Sequence, residues 1–126
     1  MSETDPVRVV IADDNELFGS ALRVILEPEP GVAVVGLATD GGEALRLVRE
    51  LRPDVVLMDL SMPVLDGFLA TERIRAEVPD TKVVVLTGSA DDEDVERARA
   101  AGAAGYVTKE RIAAELVQAV RTAARR

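Results

Sequence analysis

Four apolar runs in this 126-residue chain each end in a residue able to take part in phosphoryl chemistry. Residues 7–12 run into Asp13-Asp14, 55–58 into Asp59, 83–86 into Thr87, and 105–108 into Lys109. Gathered at one point, these would be three carboxylates, a hydroxyl and an ammonium. Carboxylates are hard oxygen ligands of the kind that Mg²⁺ takes, together with water and phosphate oxygens. An aspartate can also attack phosphorus and form an acyl phosphate. On that reading Asp13 and Asp14 seat the cation and Asp59 is the nucleophile. Thr87 donates a hydrogen bond to a phosphoryl oxygen, and Lys109 pairs first with Asp59 and then with the phosphoryl group. Each residue alone has a plainer reading. Asp13-Asp14 is also a solvated turn, Asp59 a turn residue before Ser61-Met62-Pro63, Thr87 a β-branched strand residue, and Lys109 a surface cation. Their joint appearance, in order, at the ends of apolar runs carries the signal. Three acids at one point repel each other, so one pKa should rise unless a cation binds.

The elements that must position them alternate between strand and helix patterns. Strands are expected at about 7–12, 32–37, 55–60, 82–86 and 106–107. Helices are expected at about 16–27, 43–51, 68–77, 92–101 and 112–124, from apolar residues at three- and four-residue spacing. Asp40 suits an N-cap. The run Asp91-Asp92-Glu93-Asp94 suits the positive end of a helix dipole. Gly41-Gly42 and Asp66-Gly67 read as turns, since neither fits a phosphate-loop pattern. Five strand–helix units with right-handed crossovers predict an α/β doubly wound parallel sheet. In the flavodoxin-like order 2-1-3-4-5, the four strands with polar ends are contiguous, and ligands in such sheets bind outside those ends.

Composition narrows the chemistry. Histidine and cysteine are absent, which removes imidazole bases, imidazole zinc sites and thiolate sites. Lys82 and Lys109 are the only lysines. Acids outnumber bases 23 to 15 for a net charge of −8, which argues against direct nucleic-acid binding. Aromatics make up 2% of the chain, so the core must be Val, Leu, Ile and Ala. The start reads as polar rather than as a signal peptide, and no apolar stretch is long enough to span a membrane. A cytoplasmic protein of one domain, residues 1–126, is expected.

The motifs resemble those of bacterial two-component response regulator receiver domains, over about residues 7–120. Val9-Val10-Ile11-Ala12-Asp13-Asp14 is similar to the family's acidic pair. Residues 53–63, from Pro53-Asp54 through Met58-Asp59 to Met62-Pro63, are similar to its phospho-acceptor segment. Val85-Leu86-Thr87-Gly88 and Gly102–Lys109 are similar to its hydroxyl and lysine segments. The wording is most similar to the NarL/FixJ-type branch. The resemblance implies Mg²⁺ held by Asp13, Asp14, Asp59 and the backbone carbonyl of Ser61. It implies phosphoryl transfer to Asp59 from a sensor histidine kinase, with Thr87 and Lys109 binding the phosphoryl group. It further implies that Thr87 and Tyr106 switch the face of helix four, strand five and helix five. Dimerisation or output would then change, with output through a DNA-binding helix-turn-helix outside this chain. Tyr106 is equally readable as a ring that covers core. Glu110 stands where the family often has proline after the lysine. A cis peptide without proline would cost about 3 kcal/mol, which leaves the Lys109–Glu110 geometry open. Alternatives are a stand-alone receiver, a degenerate protein-binding receiver, and an aspartyl-phosphate hydrolase. The last would want a second acid two residues after Asp59, where Ser61 stands.

Overall fold

The computed structural model describes residues 5–60, 62, 66–88 and 92–125. Its strands are β1 (Val7–Ala12), β2 (Val32–Ala38), β3 (Val55–Asp59), β4 (Lys82–Thr87) and β5 (Gly105–Thr108). Its helices are α1 (Glu16–Leu26), α2 (Gly41–Leu51), α3 (Gly67–Glu77), α4 (Asp92–Ala101) and α5 (Ile112–Ala124). All strand pairs are parallel, in the order β2-β1-β3-β4-β5. The expected topology is therefore the observed one.

The sheet is buried on both faces because its side chains alternate at period two. Val9, Ile11, Leu57, Leu86 and Val107 point to one face, where Leu22 and Leu26 of α1 and Leu116 and Val120 of α5 cover them. Val10, Val56, Met58 and Val83 point to the other, against Ala44, Leu45 and Val48 of α2 and Ala70 and Ile74 of α3. Burying each such leucine contributes about 2 kcal/mol. β3, at the centre, is buried along its whole length, so Asp59 ends a strand that cannot shift without disturbing both layers.

The amino-terminal edge of the sheet is closed by satisfied polar groups. The Arg8 amide donates to Asp54 Oδ2 at 2.8 Å, and the Asp54 amide donates back to the Arg8 carbonyl at 2.9 Å. The Lys82 amide donates to the Asp54 carbonyl at 3.0 Å, and Thr81 Oγ1 to the Pro53 carbonyl at 2.7 Å.

Two local expectations are corrected. Gly41 and Gly42 are the first residues of α2, not a turn. Asp40 accepts from the Glu43 amide at 2.8 Å, and Glu43 Oε1 accepts from the Thr39 amide at 2.9 Å. This reciprocal cap outweighs the poor helix propensity of two glycines. Likewise Gly67 opens α3 behind its N-cap Asp66, whose side chain accepts from the Leu69 amide. After Lys109 the chain makes a single 3₁₀ turn, Lys109–Arg111, into α5. No peptide among the described residues is cis, so the Lys109–Glu110 bond is trans.

Candidate functional site at the carboxyl edge of the sheet

Because the strands are parallel, β1, β3, β4 and β5 deliver their last residues to one edge. Carboxylate oxygens of Asp13, Asp14 and Asp59 lie within 4.8 Å of one another. Asp13 and Asp59 are each 3% exposed, whereas Asp14 faces solvent. One Asp13 oxygen accepts from the Asn15 amide at 2.9 Å. The other, Oδ2, is buried and has no hydrogen-bond partner among the described residues. Native proteins rarely leave a buried carboxylate oxygen unpaired, and a hard cation would satisfy it.

Lys109 Nζ approaches Asp59 Oδ1 at 3.5 Å. Thr87 is buried at the end of β4 and pairs in register with Thr108, the residue before Lys109. Asp59, Leu60, Phe68, Thr87, Asp94 and Lys109 help line a cavity of about 340 Å³ beside the acids. Its walls place a carboxylate, a hydroxyl and an ammonium around space wide enough for a phosphoryl group.

Asp13 is the acid whose pKa rises above the ordinary aspartate value. Burial is the first cause, the charges of Asp59 and Asp14 add to it, and the Asn15 amide and Lys109 oppose it. Like-charge repulsion alone was the expected cause; desolvation proves larger because Asp13 lies within the sheet edge. Ser61, the expected carbonyl ligand, lies outside the described residues, as do Pro63 and Asp91. Tyr106 is 46% exposed, so its ring covers little core. It borders a cavity of about 250 Å³ that Val95, Ala98 and Ala103 also line.

The sequence reading passed over three contributors. Phe18 of α1 carries its ring centre 4.9 Å from Lys109 Nζ. Phe68 of α3 lines the cavity and stacks under Arg97 of α4 at 3.9 Å. Asp94 lines it from α4. Phe18, Phe68 and Tyr106 are the chain's only aromatics, and that scarcity was the available signal.

Residues 9–121 match the family model described as the response regulator receiver domain. The chain belongs to the response-regulator receiver family. The transcriptional regulatory protein LiaR of Bacillus subtilis is 44% identical over 119 residues, 94% of this receiver and 56% of LiaR. The response regulator GacA of Pseudomonas aeruginosa is 44% identical over 115 residues, 91% of this receiver and 54% of GacA. This receiver thus spans about half the length of the curated relatives it matches. The signal receiver domain of the putative response regulator NarL from Mycobacterium tuberculosis superimposes with a TM-score of 0.91 at 36% identity, covering 95% of this chain and 97% of that one. A LuxR-family two-component response regulator from Aurantimonas gives 0.90 at 39%, covering 95% and 86%. These relatives agree with the NarL/FixJ-type branch. No helix of the described residues is long and apolar enough to cross a membrane.

Receivers bind Mg²⁺ at an acidic pocket, and the all-oxygen donor set with its orphaned Asp13 Oδ2 fits that ion. A buried acid with a raised pKa stabilises the fold while protonated. For Asp13 this contribution is complete below about pH 4 and is lost as pH rises through its raised native value. At neutral pH, without metal, the buried acid is therefore a cost. Asp13→Asn should raise metal-free stability at pH 7 by about 1 kcal/mol and abolish the extra stability that Mg²⁺ gives the native chain. Thermal melts in chelator and in Mg²⁺ test this; a variant that melts lower in chelator, or still gains from Mg²⁺, refutes it.

Proposed function

We propose that this receiver takes a phosphoryl group onto Asp59 from the phosphohistidine of a sensor histidine kinase, and that the phosphorylated state switches its partner-binding face. The observation that carries this reading is the meeting of three carboxylates within 4.8 Å with Lys109 at 3.5 Å from the central one. Asp13, Asp14 and Asp59 would hold Mg²⁺, joined on family resemblance by the Ser61 carbonyl. The ion would supply positive charge against the phosphoryl oxygens. An Asp59 carboxylate oxygen attacks phosphorus. The P–N bond of the donor breaks, and its electron pair returns to the imidazole nitrogen, which then takes a proton. Lys109 and the Thr87 hydroxyl meet the charge on the equatorial oxygens, where in-line transfer needs it.

Thr87 then moves toward the phosphoryl group, and the half-exposed Tyr106 turns toward the cavity beside α4. Phosphorylation acts as a ligand that binds one of two conformers better. The face of α4, β5 and α5 controls dimerisation or output. The length of relatives such as LiaR supports transcriptional output through a DNA-binding domain beyond this chain, with residues 1–126 forming one receiver unit that operates in the cytoplasm. The chain catalyses only its own phosphorylation and dephosphorylation. Mixing it with a ³²P-phosphorylated histidine kinase domain and Mg²⁺ should move label onto the receiver, and chelator should prevent the transfer. Transfer that is indifferent to chelator would exclude the metal from the reaction.

A further inference from the structure

Lys109 is held from two sides. Its ammonium lies 3.5 Å from Asp59 Oδ1 and 4.9 Å from the centre of the Phe18 ring. A cation within about 6 Å of an aromatic face is attracted by the ring quadrupole. The carboxylate distance exceeds that of a charge-assisted hydrogen bond, about 2.8 Å, so the lysine is near the acceptor without being clamped to it. We propose that Phe18 is a positioning residue for phosphoryl transfer. Its ring keeps the Lys109 ammonium beside the acceptor carboxylate and free to follow the incoming phosphoryl group. This inference rests on the reading of Asp59 as acceptor.

Three features fix the ring. The Asn15 side chain, the N-cap of α1, accepts from the Phe18 amide at 3.1 Å. The Asn15 amide in turn donates to Asp13 Oδ1 at 2.9 Å. One short hydrogen-bonded path thus ties Asp13 to the residue that holds the lysine. Phe18 is also half-buried against the core shared by the sheet, α1 and α5. The lysine needs such a hold, because its side chain is 35% exposed. Without the ring, water competes for the ammonium over that exposed side. The ring face has no directional donor or acceptor, so the cation can slide across it as negative charge moves from Asp59 to the phosphoryl oxygens. A second carboxylate in the same place would hold it back.

The chain's two lysines make the contact directly observable. Lysine-selective isotope labelling yields ε-methylene signals from Lys82 and Lys109 alone, with Lys82 as internal reference. In the native protein and in Phe18→Tyr, the ring current should displace the Lys109 signal upfield. In Phe18→Leu, which keeps apolar contact with the core, the signal should return toward that of Lys82. Phosphorylation by acetyl phosphate in Mg²⁺ should slow roughly fivefold in Phe18→Leu and stay near the native rate in Phe18→Tyr. A Lys109 signal indifferent to Phe18→Leu overturns the proposal. So does a native rate in that variant, or an equal loss in both variants. A native chain that takes up no phosphoryl group would instead remove the acceptor reading, and this inference with it, while the signal displacement would still report the ring contact.

Discussion

Asp59→Asn should gain no phosphoryl mass from acetyl phosphate in Mg²⁺, under conditions where the native chain gains one. The amide is nearly isosteric with the carboxylate but lacks its charge and nucleophilic oxygen. The rate should therefore fall by at least about a thousandfold. The fold should survive, because the change removes one of three acids crowded within 4.8 Å. Lys109 loses its ion pair and keeps its ring contact with Phe18. Intact-mass spectrometry reads the result, and thermal melting confirms that the variant is folded. Labelling of the variant at the native rate would move the acceptor elsewhere, with Asp13 and Asp14 the nearest candidates.

The second large effect is on stability and comes from a residue with no chemistry of its own. Gly67→Ala should cost about 3 kcal/mol or more. A Cβ at this position would fall on the Asp59 carbonyl oxygen and 2.7 Å from the Leu60 Cα. Both are backbone atoms and cannot swing aside as a side chain would. The Gly67 amide donates to the Leu60 carbonyl at 3.3 Å, and Thr71 Oγ1 donates to the Gly67 carbonyl at 2.7 Å. The start of α3 is thereby pinned against the end of β3, and relief of the clash must displace one of them. Gly19→Ala supplies the opposite sign. Beyond its chain neighbours and its own helix backbone, no described atom lies within 4 Å of the added Cβ, because Gly19 faces a cleft between α1 and β2 that Ile11, Ser20 and Leu37 also line. Replacing a mid-helix glycine there should stabilise by up to about 1 kcal/mol. Urea denaturation of both variants checks the pair. An unchanged midpoint for Gly67→Ala would refute the close-approach argument.

The architecture was legible in the sequence because its signals are local and repeat. Apolar runs, caps such as Asp40 and breakers such as Pro53 and Pro79 mark most boundaries to within a residue or two. α5 begins at Ile112 and ends at Ala124, as expected. The acids, the hydroxyl and the lysine were legible for a related reason: a parallel sheet turns strand ends into neighbours. Contacts made across elements were not legible. Phe18 reaches Lys109 only because α1 packs beside α5 on the same face of the sheet, and nothing in the spacing of residues 18 and 109 encodes that approach. Phe68 and Asp94 enter the cavity from α3 and α4 for the same reason. Gly67 read as a turn because a glycine after aspartate is usually there for the turn, whereas here it makes room for the backbone at the end of β3. The burial of Asp13 could not be read from an Asp-Asp pair that looks solvated on paper.

The closed hydrogen-bond set around Arg8, Asp54, Thr81 and Lys82 has a consequence for how such a domain can diversify. One rim of the sheet is spent on self-sufficiency, with Arg8, Asp54, Thr81 and Lys82 bonded to groups of the same chain. The opposite rim leaves Asp13 Oδ2 without a partner among the described residues, a demand that a bound cation can meet. Drift at the first rim will register as lost folding and drift at the second as altered signalling, so the two properties can be inherited and tuned almost separately.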